Sequence, residues 1–368
     1  ISESWAIAME KQYIFNRRTL LSGAVAVTTI GLLAACGGGS KKEDKVKAPG
    51  KGAKPEELYN INSHPVSDLK QGGELRIPVT AIGPDFNIWS QGGSSYSTAR
   101  VLSTMRTARL YKVTADGAYT LDKDYCEKFE VGKKGNKVAV AIKMNPKAKF
   151  NDGTPIDIKA LRATWKIHQE PGGKYNIVTA GPYPHIESIE PEGKDGVIQV
   201  VFKNPYYPIE DLFAYIAHPA LEDPEVFNKG FVDKPRPEYS SGPFTVKEDG
   251  WNSSSKTFTV VANEKWWGEK PLLDRIIFRA LEAGASRAAF KNGEIDAVVA
   301  STPTAYAELK DTNGAQIRRG QRLFSGGLNL NPNHIKDAKV RKAIFVGTDR
   351  QALANVNMSH KQTTPTPS

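Results

Sequence analysis

The chain predicts a mixed α/β fold, and three observations carry that reading. Short stretches alternate apolar and polar residues at the period of a strand, as at Leu75, Ile77 and Val79 and again at Val138, Val140, Ile142 and Met144. Helical patterns fall between these stretches, which is the alternation of an α/β protein. The 32 Gly and 23 Pro among 368 residues fit a turn-rich chain better than a helical bundle, and the length suits roughly two domains.

Taken in order, Gly72-Gly73 opens the strand Glu74 to Val79, and Tyr96 to Leu110 reads as a helix. The alternation from Val138 to Met144 is a second strand. At Phe150-Asn151-Asp152-Gly153-Thr154-Pro155-Ile156-Asp157 the pair Asp152-Gly153 makes a tight turn. Thr154 is then expected to cap a helix, with Pro155 in its first position, where a missing N–H costs nothing, and Asp157 complementing the dipole. Ile158, Leu161, Trp165 and His168 share its apolar stripe. Val197 to Phe202 is a strand ended by Asn204-Pro205. Phe244-Thr245-Val246 and Phe258-Thr259-Val260-Val261 are successive strands around a polar loop from Asn252 to Lys256. Ile276-Ile277-Phe278 and Ala297-Val298-Val299 are short apolar runs with helical patterns beside them.

Composition narrows the function. The 39% hydrophobic and 24% charged residues exclude a polytopic membrane protein, a collagen and a wholly disordered chain. Fifty Lys and Arg against 40 Asp and Glu leave a net charge of +10, a mild excess read as a solvated surface and not as a nucleic-acid face. Two cysteines cannot build a disulfide scaffold and lack the spacing of a zinc cluster.

Residues 1–71 read as address and tether. From Met9 the chain runs through a basic segment ending in Arg17-Arg18, then uncharged from Thr19 to Ala35, and closes on Leu33-Ala34-Ala35-Cys36-Gly37. The apolar run is short of the ~20 residues a spanning helix needs. Leu-Ala-Ala-Cys resembles the lipobox of bacterial lipoproteins, which implies a signal peptide over 1–36, with Cys36 becoming the new N-terminus and carrying lipid (palmitate among its acyl chains) on its sulfur. Each buried CH₂ then contributes ~0.8 kcal/mol of anchoring. The alternative is an uncleaved anchor with an incidental cysteine, and the Arg pair leaves general secretion and twin-arginine export both open. Residues 37–71, polar and lysine-rich, are expected to form a flexible tether.

The turn at Phe150 to Asp157, followed by Trp165, resembles the hallmark of the family 5 extracellular solute-binding proteins, the dipeptide and oligopeptide receptors of bacterial ABC importers. Four further blocks agree in order: Ser241-Gly242-Pro243-Phe244, then Asn263 through Trp266-Trp267-Gly268 to Pro271, Gly293-Glu294-Ile295-Asp296, and Val340-Arg341-Lys342-Ala343 with Asp349-Arg350. The resemblance implies a two-lobed periplasmic-binding-protein-like fold of the class II type. Lobe I takes 72–118 and 238–325, an inserted subdomain takes 119–237, and a second lobe opens at 326–368. Family members are longer, so the resemblance also implies that this last lobe is incomplete. Ligand binds between lobes that close by hinge motion, a shift of population without chemistry.

Nothing in the residues points to catalysis. No Gly-x-Ser-x-Gly, His-Glu-x-x-His, Walker loop or Cys-x-x-Cys is present, and the six histidines are scattered without ligand spacing. We therefore expect no enzyme activity, no cofactor and no metal site. The candidate ligand contacts are Phe86, Asn87 and Trp89, on a loop beyond the first strand, where α/β folds gather ligands. An aromatic face beside an Asn amide suits a peptide backbone; the alternative is that Phe86 and Trp89 pack inside the lobe. Tyr111 and Asn329 are further candidates. Trp266 and Trp267 are structural in the family, and Cys126 reads as an inert buried thiol. The expected protein is a monomeric receptor, lipid-anchored at the outer face of the cytoplasmic membrane, that hands peptides to an ABC permease. A nickel complex, an oligosaccharide or haem as ligand, or a surface sensor or adhesin without transport, are the competing readings.

Overall fold

A computed structural model of the chain describes residues 64–105, 108–114, 118–169, 172–318, 328–350 and 352–353. The expected signal peptide, the expected lipobox at Cys36 and the expected tether as far as residue 63 lie outside the described residues. Along the chain run β1 (Glu74–Val79), α1 (Tyr96–Ser103), β2 (Tyr111–Val113), β3 (Tyr119–Leu121), β4 (Cys126–Lys134), β5 (Lys137–Met144), α2 (Ile158–His168), β6 (Ile186–Glu192) and β7 (Val197–Phe202). Then come α3 (Pro224–Lys229), β8 (Phe244–Asn252), β9 (Thr257–Ala262), β10 (Arg275–Ala280), α4 (Ala283–Lys291), α5 (Pro303–Leu309) and α6 (Ala338–Gly347). Residues 64–315 form one compact unit, and the described residues from 316 onward belong to a second.

The first unit holds two four-stranded sheets. One has the order β1-β10-β9-β8, with β1 parallel to β10 and the other pairs antiparallel. The expected alternation at Leu75, Ile77 and Val79 sets this register, placing them opposite Ile276, Phe278 and Ala280. Its core joins Phe258, Val260 and Phe278 to Val101 and Leu102 of α1, Phe86, and Phe227 of α3. The other sheet is antiparallel throughout, in the order β4-β5-β7-β6. Its core packs Val140, Ile142, Ile189 and Val200 against Ala160 and Leu161 of α2. A two-stranded ribbon, β2–β3, lies beside it.

Two expectations are corrected. Thr154 is not a helix cap: its N–H and O–H both donate to the carboxylate of Asp152, at 2.9 and 3.0 Å, and Pro155 bridges to Lys149. Asp157 is the cap instead, accepting the Lys159 N–H at 2.8 Å, so α2 starts at Ile158. The first helix does not reach Leu110. Ser95 caps α1, which ends at Ser103, because Leu110 donates to the Phe213 carbonyl and Ala108 accepts from Ile216, long-range bonds that draw this stretch out of the helix. Ala297-Val298-Val299 forms no regular element, and most of it is exposed.

In the second unit, Asp337 caps α6 through the Lys339 N–H at 2.7 Å, and none of the helix's residues is buried.

Candidate functional site

The loop after β1 is built as a pinned turn. The Asp85 carboxylate accepts the Asn87 N–H at 2.8 Å and the Ser90 hydroxyl at 2.5 Å. The Asn87 amide accepts the Trp89 N–H at 3.1 Å and donates to the Phe227 carbonyl of α3 at 2.7 Å. A Cβ at Gly93 would lie 2.1 Å from the Asn87 carbonyl oxygen, so only glycine lets the loop close this tightly. Phe86 is 0% exposed, with its ring against Trp251 and Phe258 at 5.1 and 5.4 Å. Phe86 and Asn87 thus present no surface in this structure and hold the loop, whereas Trp89 stays half-buried at its edge.

Trp89 and Ile88 border a hollow completed by Ala108, Phe150, Tyr215, Ile216, Tyr239 and Ser241. Its free volume is about 10 Å³, room for about one water molecule and far below the roughly 300 Å³ of a ligand pocket, so the hollow is closed to a ligand group in this structure. Ser241 is 1% exposed, and its hydroxyl has no hydrogen-bond partner among the described residues. Tyr239 is held by stacking on His218, centroids 4.5 Å apart, and by the Arg236 guanidinium 5.2 Å from its ring. The His218 Nδ1 accepts the Ala220 N–H at 3.0 Å, which assigns the proton to Nε2, 3.1 Å from the Asp152 carboxylate. Burial pushes His218 below its ordinary value, outweighing the pull of Asp152. Burial also opposes ionisation of Asp152, yet the Thr154 and His218 hydrogen bonds hold its carboxyl below the usual range. Tyr215, Tyr239 and Ser241 come from more than a hundred residues beyond Trp89, and only the Ser241-Gly242-Pro243 block hinted at one of them.

The other candidates are not among the residues that line this wall. Tyr111 rests its ring on Phe129 at 5.0 Å and Tyr119 at 6.4 Å, and burial pushes its hydroxyl up to about 12. Asn329 is exposed and belongs to the second unit. Cys126 is fully buried, with its thiol pushed up by burial to about 11. Among the described residues no group of three or more His, Cys, Asp or Glu could hold a metal ion.

Four of the recurring sequence blocks meet other elements as scaffold. Asn151 donates to the Pro237 carbonyl at 2.9 Å and the Ser240 hydroxyl at 3.0 Å, and accepts from the Asn263 amide at 2.9 Å. Asn263 also donates to the Gly242 carbonyl at 2.7 Å, and Lys265 caps the Asn151 carbonyl. A Cβ at Gly242 would meet the Met105 backbone at 2.9 Å. Trp266 is buried, and Trp267 donates to the Asp124 carbonyl at 2.8 Å. Asp296 grips β1 through the Arg76 guanidinium and the Arg76 N–H, each at 2.7 Å.

Residues 133–368 match the sequence profile of the bacterial extracellular solute-binding proteins, family 5 Middle. The oligopeptide-binding protein OppA of Mycobacterium tuberculosis is 30% identical over 317 residues, covering 84% of this chain and 52% of the relative. The chain therefore spans about half the length of the curated relatives it matches. Among solved structures, AppA of Bacillus subtilis in complex with a nonapeptide aligns with a TM-score of 0.59 at 22% identity, over 78% of this chain and 56% of that one. NikZ of Campylobacter jejuni in complex with Ni(L-His) aligns with a TM-score of 0.59 at 17% identity, over 77% and 54%. The fold is accordingly the two-lobed type of these binding proteins, of which the chain covers part.

Proposed function

The chain belongs to the bacterial extracellular solute-binding proteins, family 5, and proceeding from that membership we propose that it is a peptide receptor of an ABC importer. In this reading it is exported, held to the outer face of the cytoplasmic membrane by lipid on Cys36, and monomeric. It captures a peptide between two lobes and passes it unaltered to the permease. Lobe I takes 72–118 and 238–325, the inserted subdomain 119–237, and the second lobe opens at 326.

The observation that carries the reading is the identity shared with an oligopeptide-binding protein along most of the chain. The loop after β1 supports it, with the hollow beside it widening to admit a ligand group. Trp89 supplies a flat apolar face on a loop that Phe86 and Asn87 hold rigid, so little ordering cost falls on binding. Ser241 supplies a buried hydroxyl that a ligand's amide could satisfy, as an unpaired polar group at a site floor favours a ligand that pairs it. Tyr111 and Asn329 are secondary contacts in the same proposal. A second reading, a nickel chelate, draws on the fold shared with the NikZ complex. A thermal-shift screen separates them. A peptide at a hundredfold excess over its dissociation constant stabilises by about 2.7 kcal/mol and raises the melting temperature. A rise with nickel–histidine and with no di-, tri- or oligopeptide would reverse the assignment.

A further inference from the structure

We propose that His218 is a proton-operated latch on the loop that presents Trp89, so that acid loosens this side of the site; its consequence for ligand capture rests on the receptor reading. Both nitrogens of the buried ring are engaged. Nε2–H donates to the Asp152 carboxylate at 3.1 Å, and Nδ1 accepts the Ala220 N–H at 3.0 Å, capping the single helical turn Pro219–Glu222. A second proton has only Nδ1 to go to, and there it faces the Ala220 N–H, donor against donor. The same proton makes the Asp152 contact charge-assisted and stronger. The ring therefore stays with Asp152 and lets go of the turn.

That turn, capped or uncapped, is the two-state element, and bonds lead from it to the loop after β1. It runs directly into Asp223, whose carboxylate accepts the Glu225 N–H at 2.8 Å and caps α3. The Phe227 carbonyl of α3 accepts the Asn87 amide, and Asn87 holds the Trp89 N–H. Just beyond α3 the Phe86 N–H donates to the Phe231 carbonyl at 3.2 Å, and the Asp233 N–H donates to the Pro84 carbonyl at 2.7 Å. Leu221, 1% exposed, the Lys166–Glu222 ion pair and the Tyr175 hydroxyl on the Glu222 carbonyl at 2.6 Å keep the turn attached. Protonation thus loosens the segment without unfolding the unit.

The charged groups facing the ring are Asp152, from the turn before α2, and Glu238, from the turn before β8, itself paired with Arg236 at 3.2 Å. Arg236 lies over the Tyr239 ring on which His218 stacks. Both carboxylates favour a charged ring while burial opposes it more strongly, so the proton arrives below the ordinary histidine range near pH 6.5.

Hydrogen exchange of the ligand-free full chain, followed by mass spectrometry from about pH 7.5 to about pH 5, reads the latch locally. Corrected for the intrinsic rate at each pH, protection of residues 219–229 and 86–93 should fall together about tenfold, while β9 and β10 keep theirs. The His218 ring resonance should titrate with the same midpoint. His218→Asn puts an amide oxygen where Nδ1 stood and takes no proton, so both segments should stay protected throughout. In the receptor reading, acid then weakens peptide capture about tenfold in the wild type and not in His218→Asn. Exchange is read without ligand, so its outcome is independent of whether a peptide binds. An equal loss over β9 and β10, or a loss in 219–229 with none in 86–93, would overturn the proposal. So would a ring that titrates at a different midpoint, which decides the matter even where His218→Asn does not fold, or an acid loss that persists in that variant.

Discussion

His218 and His168 sit where burial outweighs every favourable partner. His168 is 3% exposed, with Nδ1 2.7 Å from the Thr164 carbonyl, and burial pushes its value down, as it does for His218. The unfolded chain takes up protons near pH 6.5 while the folded rings resist them, so stability is complete above that pH and falls as the solution is acidified. The melting temperature should fall between about pH 7 and about pH 5, and His218→Gln should flatten that slope. A melting temperature independent of pH across this window would contradict the burial of both rings. At this scale the sequence discriminates poorly. Phe86, Asn87 and Trp89 read alike in a polar loop, and only packing from α3 and β9 decides that the first two are enclosed and the third keeps a surface.

Elements were legible where a local period sufficed. Val138 to Met144 and Val197 to Phe202 alternate cleanly because one face of each strand meets the core, and both appear as strands. Helix ends were not legible, because groups outside each helix decide them. Asp152 draws Thr154 away from the cap, and Phe213 and Ile216 hold the stretch after α1 extended. The recurring Asn151 and Asn263 have the same character: they join a turn before α2 to the start of β8 and the loop after β9. Replacing Asn151 by Ala leaves buried partners unpaired and should cost about 2 kcal/mol, read from the denaturant midpoint at unchanged slope. A loss below about 0.5 kcal/mol would mean that water satisfies those groups.

For the molecule as a whole, the five sequence blocks identified the family while leaving the wall beside Trp89 unread. Those blocks largely encode scaffold: glycines where backbones touch, and amides and aromatics that join the sheets. The wall beside Trp89 instead draws Tyr215 and Tyr239 from separate loops that carry no signature of their own. The first sheet shows the same limit, since β1 pairs with β10 across some two hundred residues, a parallel contact that no local pattern announces. The receptor account stands or falls on capture without turnover. Calorimetric titration with an oligopeptide, followed by mass analysis of the recovered ligand, tests that directly. The account predicts saturable binding, an intact peptide, and roughly tenfold or greater weakening in Trp89→Ala, measured well below that variant's own melting transition. A cleaved peptide, or heat from nickel–histidine and from no peptide, would contradict it.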